Sequence, residues 1–231
     1  MQLSKRMTLL ASMVTAGNRL ADVGTDHGYI PIALVQEGKI PSAVAMDVNK
    51  GPLSRAEEHI HSCGLDAYIE TRLSDGLEKL KPGEADTVLI AGMGGALTIR
   101  ILNNGRHCLD TVRELILQPQ SEIHLVREYL ARNHFRIEEE DIVYEDGKYY
   151  PVMHVVHGHG EPMNEAELYY GVIRKQRSPQ VLENYLRAEI KKTEAILHML
   201  REARKEASGR AQELRKKRTL MEYALTMLKN V

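Results

Sequence analysis

Short apolar runs alternate with amphipathic stretches along the first 160 residues. Apolar runs bounded by turn residues are typical of buried strands, and apolar positions spaced three and four apart are typical of helices. Strict alternation of the two favours a parallel sheet with right-handed crossovers. The predicted strands are 19–23, 42–47, 68–72, 87–91 and 114–118, and the predicted helices are 4–13, 29–37, 51–63, 94–106 and 123–133.

Two further strands are predicted at 135–144 and 148–157, joined by a turn that contains Asp146 and Gly147. Asp-Gly is one of the strongest short-range indications of a β-hairpin. Together these patterns predict an α/β fold class, a Rossmann-like, doubly wound, mainly parallel seven-stranded sheet with an antiparallel C-terminal hairpin.

The remaining residues have a helical pattern. A linker with two glycines and a proline spans 158–162, and apolar residues then recur every seven positions. We therefore expect two domains, a Rossmann-like cofactor-binding catalytic domain at 1–160 and a small all-helical, coiled-coil-like domain at 161–231. Its predicted helices are 165–176, 179–207 and 210–230, with a break near Ser208 and Gly209, and its heptad positions are Leu200, Ala207, Leu214, Met221 and Leu228.

Composition limits the setting in which the protein works. Of the 231 residues, 43% are hydrophobic, which is enough for a packed core. No apolar run approaches the ~18 residues of a membrane span, and the first residues lack the apolar region of a signal peptide. The only cysteines, Cys63 and Cys108, do not form a CxxC pair. These observations favour a reducing, cytoplasmic location without a membrane partner.

Charge is distributed unevenly along the chain, although the net charge is only −1. Residues 161–231 hold 15 Lys and Arg against 10 Asp and Glu, and residues 1–160 hold 16 against 22. An acidic domain followed by a basic helical region is a plausible arrangement for binding nucleic acid. Solvated helices of mixed charge explain the pattern equally well, and the basic run 215–218 has the same two explanations.

A glycine-punctuated turn follows the first predicted strand. Gly24 and Gly28 allow a sharp turn and a close approach to a ligand, but their spacing departs from the dinucleotide pattern G-x-G-x-x-G. Asp22 and Asp26 would repel a pyrophosphate there. The acids favour a cationic cofactor with an amino-acid tail, and S-adenosylmethionine carries a sulfonium, an ammonium and no phosphate.

Acids and glycines also follow the next strands, where parallel sheets bind cofactors. Asp47 ends the second strand, where an acid accepts hydrogen bonds from ribose hydroxyls, and Asp75 follows the third, near the expected adenine. A glycine-rich loop at 92–95 follows the fourth. The predicted cofactor-binding residues are Asp22, Gly24, Thr25, Asp26, Gly28, Asp47, Val48, Asn49, Asp75, Gly76, Ala91, Gly92, Met93 and Gly94.

Four motifs carry a resemblance to a known family: Asp-Val-Gly-Thr-Asp-His-Gly-Tyr, Ala-Met-Asp-Val-Asn, Leu-Ser-Asp-Gly and Ile-Ala-Gly-Met-Gly-Gly. The chain resembles class I S-adenosylmethionine-dependent methyltransferases over its whole length, and more narrowly the bacterial tRNA (adenine-22-N1)-methyltransferases. This resemblance implies methyl transfer from S-adenosylmethionine to N1 of an adenine in the D-arm region of tRNA, with tRNA as the partner. The predicted antiparallel hairpin also fits a methyltransferase rather than a dinucleotide dehydrogenase.

The chemistry of N1 limits what the protein must supply. Unprotonated adenine N1 is already a nucleophile, so the enzyme must chiefly place it in line with the methyl–sulfur bond. The predicted catalytic residues are Asp26, as acceptor for the adenine amino group or as charge stabiliser, and His27 and Tyr29, as lining of the base pocket. In the alternative, His27 only caps the following helix and Tyr29 packs beneath the cofactor. Gln118 and Gln120 are expected to flank the same pocket.

Two groups of histidines resemble metal ligands only superficially. His59 and His61 with Cys63 point apart on a helix, so they cannot chelate one ion together. The histidines at 154, 157 and 159 lack carboxylate or cysteine partners at ligand spacing. We therefore expect no metal.

The sequence leaves two alternative functions open. One is a small-molecule methyltransferase of the same fold with a dimerising tail, and the other is a non-enzymatic tRNA-binding protein with a degenerate cofactor site. Cofactor binding separates the second alternative from the enzymes, and methyl transfer to unmodified tRNA separates the two enzymes. For the tRNA methyltransferase we expect a monomer.

Overall fold

The computed structural model describes residues 2–205 and 207–230. Within these ranges seven strands form one sheet, in the order β3-β2-β1-β4-β5-β7-β6. Strands β1 to β5 are parallel, and β7 is antiparallel to β5. The predicted fold class is confirmed. The strands are β1 Leu20–Val23, β2 Ala43–Asp47, β3 Ile69–Leu73, β4 Thr87–Met93, β5 Glu114–Pro119, β6 Phe135–Glu145 and β7 Lys148–His157.

The strand order reverses at β1, which lies between β2 and β4. Val23 is level with Met46 on one side and with Ile90 on the other. Crossovers that leave such a point in opposite directions open a crevice at the carboxyl ends of the strands, where ligands of open α/β sheets bind. The turns after β1 and β4 therefore face the same space.

The helices of the first part of the chain follow the predicted alternation. Two boundaries differ from the prediction by two residues: β4 continues to Met93, and the helix that follows it ends at Asn104. A separate short helix then begins at Arg106, directly after Gly105, which packs so tightly that a Cβ there would lie 2.4 Å from Leu77 Cδ1. These helices are α1 Lys5–Met13, α2 Tyr29–Gln36, α3 Lys50–Ser62, α4 Gly95–Asn104, α5 Arg106–Leu109 and α6 Ile123–Arg132.

The hairpin between β6 and β7 turns at Asp146 and Gly147, whose φ angles are 48° and 80°. Positive φ at both central residues characterises the type I′ turn, whose twist matches that of the flanking strands. The Asp-Gly prediction is therefore confirmed at this turn.

The chain divides into two compact units, residues 1–139 with 143–160, and residues 140–142 with 161–231. In the second unit the helix predicted at 165–176 begins at the predicted residue, but its predicted end is wrong. Helix α7, Glu165–Tyr170, ends early, and a 3-10 turn follows at Ile173–Lys175. Between the two, the backbone N–H of Val172 donates a hydrogen bond to the carboxylate of Glu140.

Two long helices complete the second unit, α8 Pro179–Glu202 and α9 Gly209–Leu228. Helix α8 ends five residues earlier than predicted, and Ala207 is exposed rather than part of the apolar heptad. Leu214 and Met221 are buried as the heptad predicts. No helix in the described ranges has the length and apolarity that crossing a membrane requires.

Candidate functional site

A cavity of about 340 Å³ opens at the carboxyl ends of β1 and β4. Its volume lies within the ~300–1,000 Å³ of small-molecule sites. Eight of the predicted cofactor-binding and catalytic residues line it, together with six further residues. The lining residues are Arg6, Met7, Leu10, Asp22, Val23, Gly24, Thr25, Asp26, His27, Tyr29, Ile30, Ala91, Gly92 and Gln120.

The turn after β1 is held against the neighbouring strand. The backbone N–H groups of Gly24 and Thr25 both donate to the carbonyl of Met46, at 2.8 and 3.0 Å. Gly24 has a φ of 76°, and a Cβ built on it would lie 2.5 Å from the methyl group of Met93. A side chain at position 24 would thus be strained and would occupy the narrow space between the two loops.

Asp22 is the buried acid of the cavity. The hydroxyl of Thr25 donates a 2.7 Å hydrogen bond to its carboxylate. Burial raises the pKa of Asp22 to about 6, the hydrogen bond from Thr25 opposes this shift, and the charge of Asp47 adds to it. Since desolvation disfavours the ionised form, a cation placed beside Asp22 would relieve that cost.

Asp26 has a different environment. Its φ is 48°, its side chain is 56% exposed, and Arg55 Nη2 lies 2.7 Å from its Oδ1. His27 Nε2 lies 3.6 Å from Asp26 Oδ2. The carboxylate therefore faces solvent at the cavity rim with one cation already beside it.

Three aromatic rings gather beside this rim. The rings of His27 and Tyr29 are 5.0 Å apart with planes 5° from parallel, and His59 lies 5.4 Å from His27 and 5.5 Å from Tyr29. Nδ1 of His59 is 3.0 Å from the carbonyl oxygen of His27. His27 does not cap α2, because its N-cap is Gly28 and no side-chain cap bond is present. No sequence pattern connects His59 with this rim, because it lies more than thirty residues further along the chain.

The remaining predicted cofactor residues lie at or after the carboxyl ends of β1 to β4, outside the cavity lining. Asp47 is buried and accepts a 2.8 Å hydrogen bond from the backbone N–H of Asn49. Val48 is 57% exposed. Asp75 pairs with Arg100 at 3.2 Å. The other predicted residues outside the lining are Gly28, Asn49, Gly76, Met93 and Gly94.

The loop after β4 is oriented by a side chain of β5. Gln118 is buried, and its Oε1 accepts a 3.1 Å hydrogen bond from the backbone N–H of Gly92. Gln120, expected to flank the pocket, lines the cavity directly. A Cβ on Gly95 would lie 2.6 Å from the carbonyl oxygen of Ser121, so only glycine permits this approach of α4 to the neighbouring loop.

Helix α1 supplies three lining residues that no sequence pattern connects with the site, Arg6, Met7 and Leu10. The carboxylate of Glu145, on the hairpin, accepts a 2.6 Å hydrogen bond from the backbone N–H of Lys5 and holds the start of this helix. No local motif marks the three residues, because they reach the cavity only through tertiary packing. In the described ranges no group of three or more His, Cys, Asp and Glu side chains could hold a metal ion.

Comparisons with known proteins agree with this geometry. A family model described as a methyltransferase domain matches residues 3–153. The tRNA (adenine(22)-N(1))-methyltransferase of Bacillus subtilis is 40% identical over 153 residues, an alignment that covers 66% of this chain and 64% of that protein. The chain thus spans somewhat less than two thirds of the length of this relative in the sequence alignment.

Two solved structures match over nearly their whole length. The crystal structure of the Bacillus subtilis m1A22 tRNA methyltransferase TrmK has 30% identity and a TM-score of 0.82, with 97% of this chain and 99% of that chain covered. Streptococcus pneumoniae Sp1610, solved in complex with S-adenosyl-L-methionine, has 33% identity and a TM-score of 0.85, with 97% of this chain and 100% of that chain covered.

Proposed function

This chain belongs to the tRNA (adenine-22-N1)-methyltransferase family, and we propose that it transfers the methyl group of S-adenosylmethionine to N1 of adenine 22 in tRNA. The observation that carries this proposal is the cavity at the carboxyl ends of β1 and β4, which combines a buried acid with two glycine loops. A cationic cofactor without phosphates fits that combination.

The residues present fit S-adenosylmethionine, which supplies an electrophilic methyl group on a sulfonium. Asp22 offers a buried negative charge, and Gly24 leaves space that a Cβ would fill. Asp47, which is buried at the end of β2, is the proposed acceptor for the ribose hydroxyls, the role of acids at this strand end. The proposed cofactor-binding residues are Asp22, Gly24, Thr25, Asp26, Gly28, Asp47, Val48, Asn49, Asp75, Gly76, Ala91, Gly92, Met93 and Gly94.

For the target adenine we propose a role for Asp26, His27 and Tyr29. N1 attacks without prior proton removal, so these residues orient the base and stabilise the positive charge that develops on it. The exposed carboxylate of Asp26 can accept from the adenine amino group. The nearly parallel rings of His27 and Tyr29 offer a surface on which an extruded base can stack.

We propose that the second unit, chiefly residues 161–231, binds tRNA. A groove of about 270 Å³ there is lined by three arginines from α8 and α9, Arg201, Arg215 and Arg218, together with Glu194, Leu197 and His198. Within the described residues, the side chains of Arg201 and Arg215 make no ion pair or hydrogen bond, which leaves both cations free to bind phosphate. We expect the protein to act as a monomer, which light scattering with and without tRNA would test.

The activity is tested with labelled S-adenosylmethionine and two tRNA transcripts, one with adenine at position 22 and one with guanine there. We expect label only in the first transcript, and nucleoside analysis should identify it as N1-methyladenosine. Label at another position or on another atom would overturn the proposed specificity. A folded protein that binds the cofactor and labels neither transcript would overturn the proposed activity.

A further inference from the structure

Arg6 is a half-buried cation at the cavity whose role the family's strand-end motifs do not explain. It lies on α1, and its Nη1 is 3.4 Å from Oε1 of Gln118. Its guanidinium carbon lies 5.3 Å from the ring centroid of Tyr150. A Cβ on Gly92 would be 3.5 Å from the same Nη1. The guanidinium is therefore held against the loop after β4.

No carboxylate pairs with the guanidinium of Arg6 among the residues that the structure describes. The two acids of the cavity lining are otherwise engaged. Asp26 pairs with Arg55, and Asp22 accepts from a neutral hydroxyl, that of Thr25. The described part of the cavity thus presents one unpaired guanidinium and one buried acid without a cationic partner.

We propose that Arg6 binds the α-carboxylate in the methionine part of S-adenosylmethionine, while Asp22 faces the α-ammonium. This inference rests on the proposed function. An α-amino acid carries both charges on one carbon, so its recognition needs a cation and an acid in the same cavity. A guanidinium suits the cationic position because its planar donors match a carboxylate. Gln118 and Tyr150 restrict the side chain before the ligand arrives, which lowers the ordering cost of binding.

The positive charge that develops on the purine argues against a position of Arg6 beside the target base. A guanidinium next to the methylated ring would oppose the reaction, whereas one next to the cofactor's carboxylate would not. A phosphate of the tRNA is the competing ligand, and a cofactor analogue without the carboxylate distinguishes the two.

The test compares two ligands by calorimetry, S-adenosylhomocysteine and its decarboxylated analogue, which keeps the amine. Arg6→Gln should weaken the binding of S-adenosylhomocysteine about tenfold or more, because it removes a charge-assisted contact. The affinity of this variant for the decarboxylated analogue should be unchanged or higher, since the substitution removes a cation that repels the amine. Lys5→Gln, the neighbouring exposed residue on α1, is the matched control and should change neither affinity.

Two outcomes would overturn the assignment. An equal loss of affinity for both ligands would mean that Arg6 only supports the structure of the loop after β4. Unchanged affinity for both ligands together with a raised KM for tRNA would place Arg6 on a phosphate. If the wild-type protein bound neither ligand, the proposed function itself would fall, and thermal unfolding of each variant establishes that it is folded.

Discussion

The hydroxyl of Thr25 donates a 2.7 Å hydrogen bond to the buried carboxylate of Asp22 at the end of β1. This single neutral donor does not compensate the loss of water, and burial raises the pKa of Asp22 to about 6. The protein without cofactor therefore carries a destabilised carboxylate at the centre of its cavity.

The Asp22→Asn variant is expected to be more stable than the wild type at pH 7 in the absence of cofactor. Between about pH 4 and 6 the folded wild type retains a proton that the unfolded chain has released, so its stability falls as pH rises through that window. A shift of about two pKa units corresponds to an upper limit of about 3 kcal/mol. Urea unfolding from pH 4 to 8 measures the free energy of unfolding of both proteins. If that free energy changed equally with pH in the two proteins, the prediction would be contradicted.

The same variant is expected to bind S-adenosylmethionine less tightly, because the amide cannot neutralise the ammonium. For the wild type, affinity should rise from pH 5 to 7 as Asp22 ionises. A pH-independent affinity in calorimetry would remove Asp22 from the cofactor's charged end.

Asp47→Ala should weaken cofactor binding by about 1.5–3 kcal/mol, since it removes the proposed acceptor for the ribose hydroxyls. Asp47→Asn keeps one acceptor oxygen and the hydrogen bond to the backbone of Asn49, so it should lose less. Asp66→Ala, at an exposed aspartate, is the control. Unchanged affinity of folded Asp47→Ala in calorimetry would refute the ribose assignment.

Asp26→Ala should lower kcat about 10- to 100-fold and should reduce cofactor affinity by a smaller factor, as expected if Asp26 holds the target base. Arg55→Gln removes the cation 2.7 Å from Asp26 and leaves the carboxylate in place. This control should retain most of kcat. The opposite result for Asp26→Ala, lost cofactor affinity with an intact maximal rate, would move Asp26 to the methionine end of the cofactor.

Replacing Arg201 and Arg215 together with Gln should weaken tRNA binding and reduce its dependence on salt, by about one unit of slope for each lost phosphate contact. The matched control replaces Lys216 and Lys217, which changes the net charge equally. In the structure those lysines pair with Glu165 at 2.6 Å and with Glu189 at 3.4 Å. We expect a smaller effect from this control pair.

Filter binding of tRNA at several salt concentrations measures both double variants. Equal loss in the two would show that only net charge matters and that the α8–α9 groove is not a phosphate site. Full binding by both would remove the tRNA-binding role from this part of the second unit.

Local patterns in the sequence determined the sheet and the positions of its loops. Alternating apolar runs indicate the parallel strands, and Asp146 with Gly147 favours the only common turn in which both central residues have positive φ. Gly24 likewise marks a turn whose backbone a side chain would strain. These predictions depend on a few neighbouring residues, so sequence alone was sufficient for them.

Only tertiary structure brought Arg6 and His59 to the site, because each comes from an element distant in sequence from the glycine turns. Helix α7 ends locally at Gly171, whose φ is 103°, but only the folded structure brings Glu140 to accept from the backbone N–H of Val172. The folded structure likewise decided which Lys and Arg side chains of α8 and α9 form ion pairs with carboxylates. A charge is available to a ligand only when no nearby acid neutralises it, and that depends on the folded positions of both groups rather than on the composition of the chain.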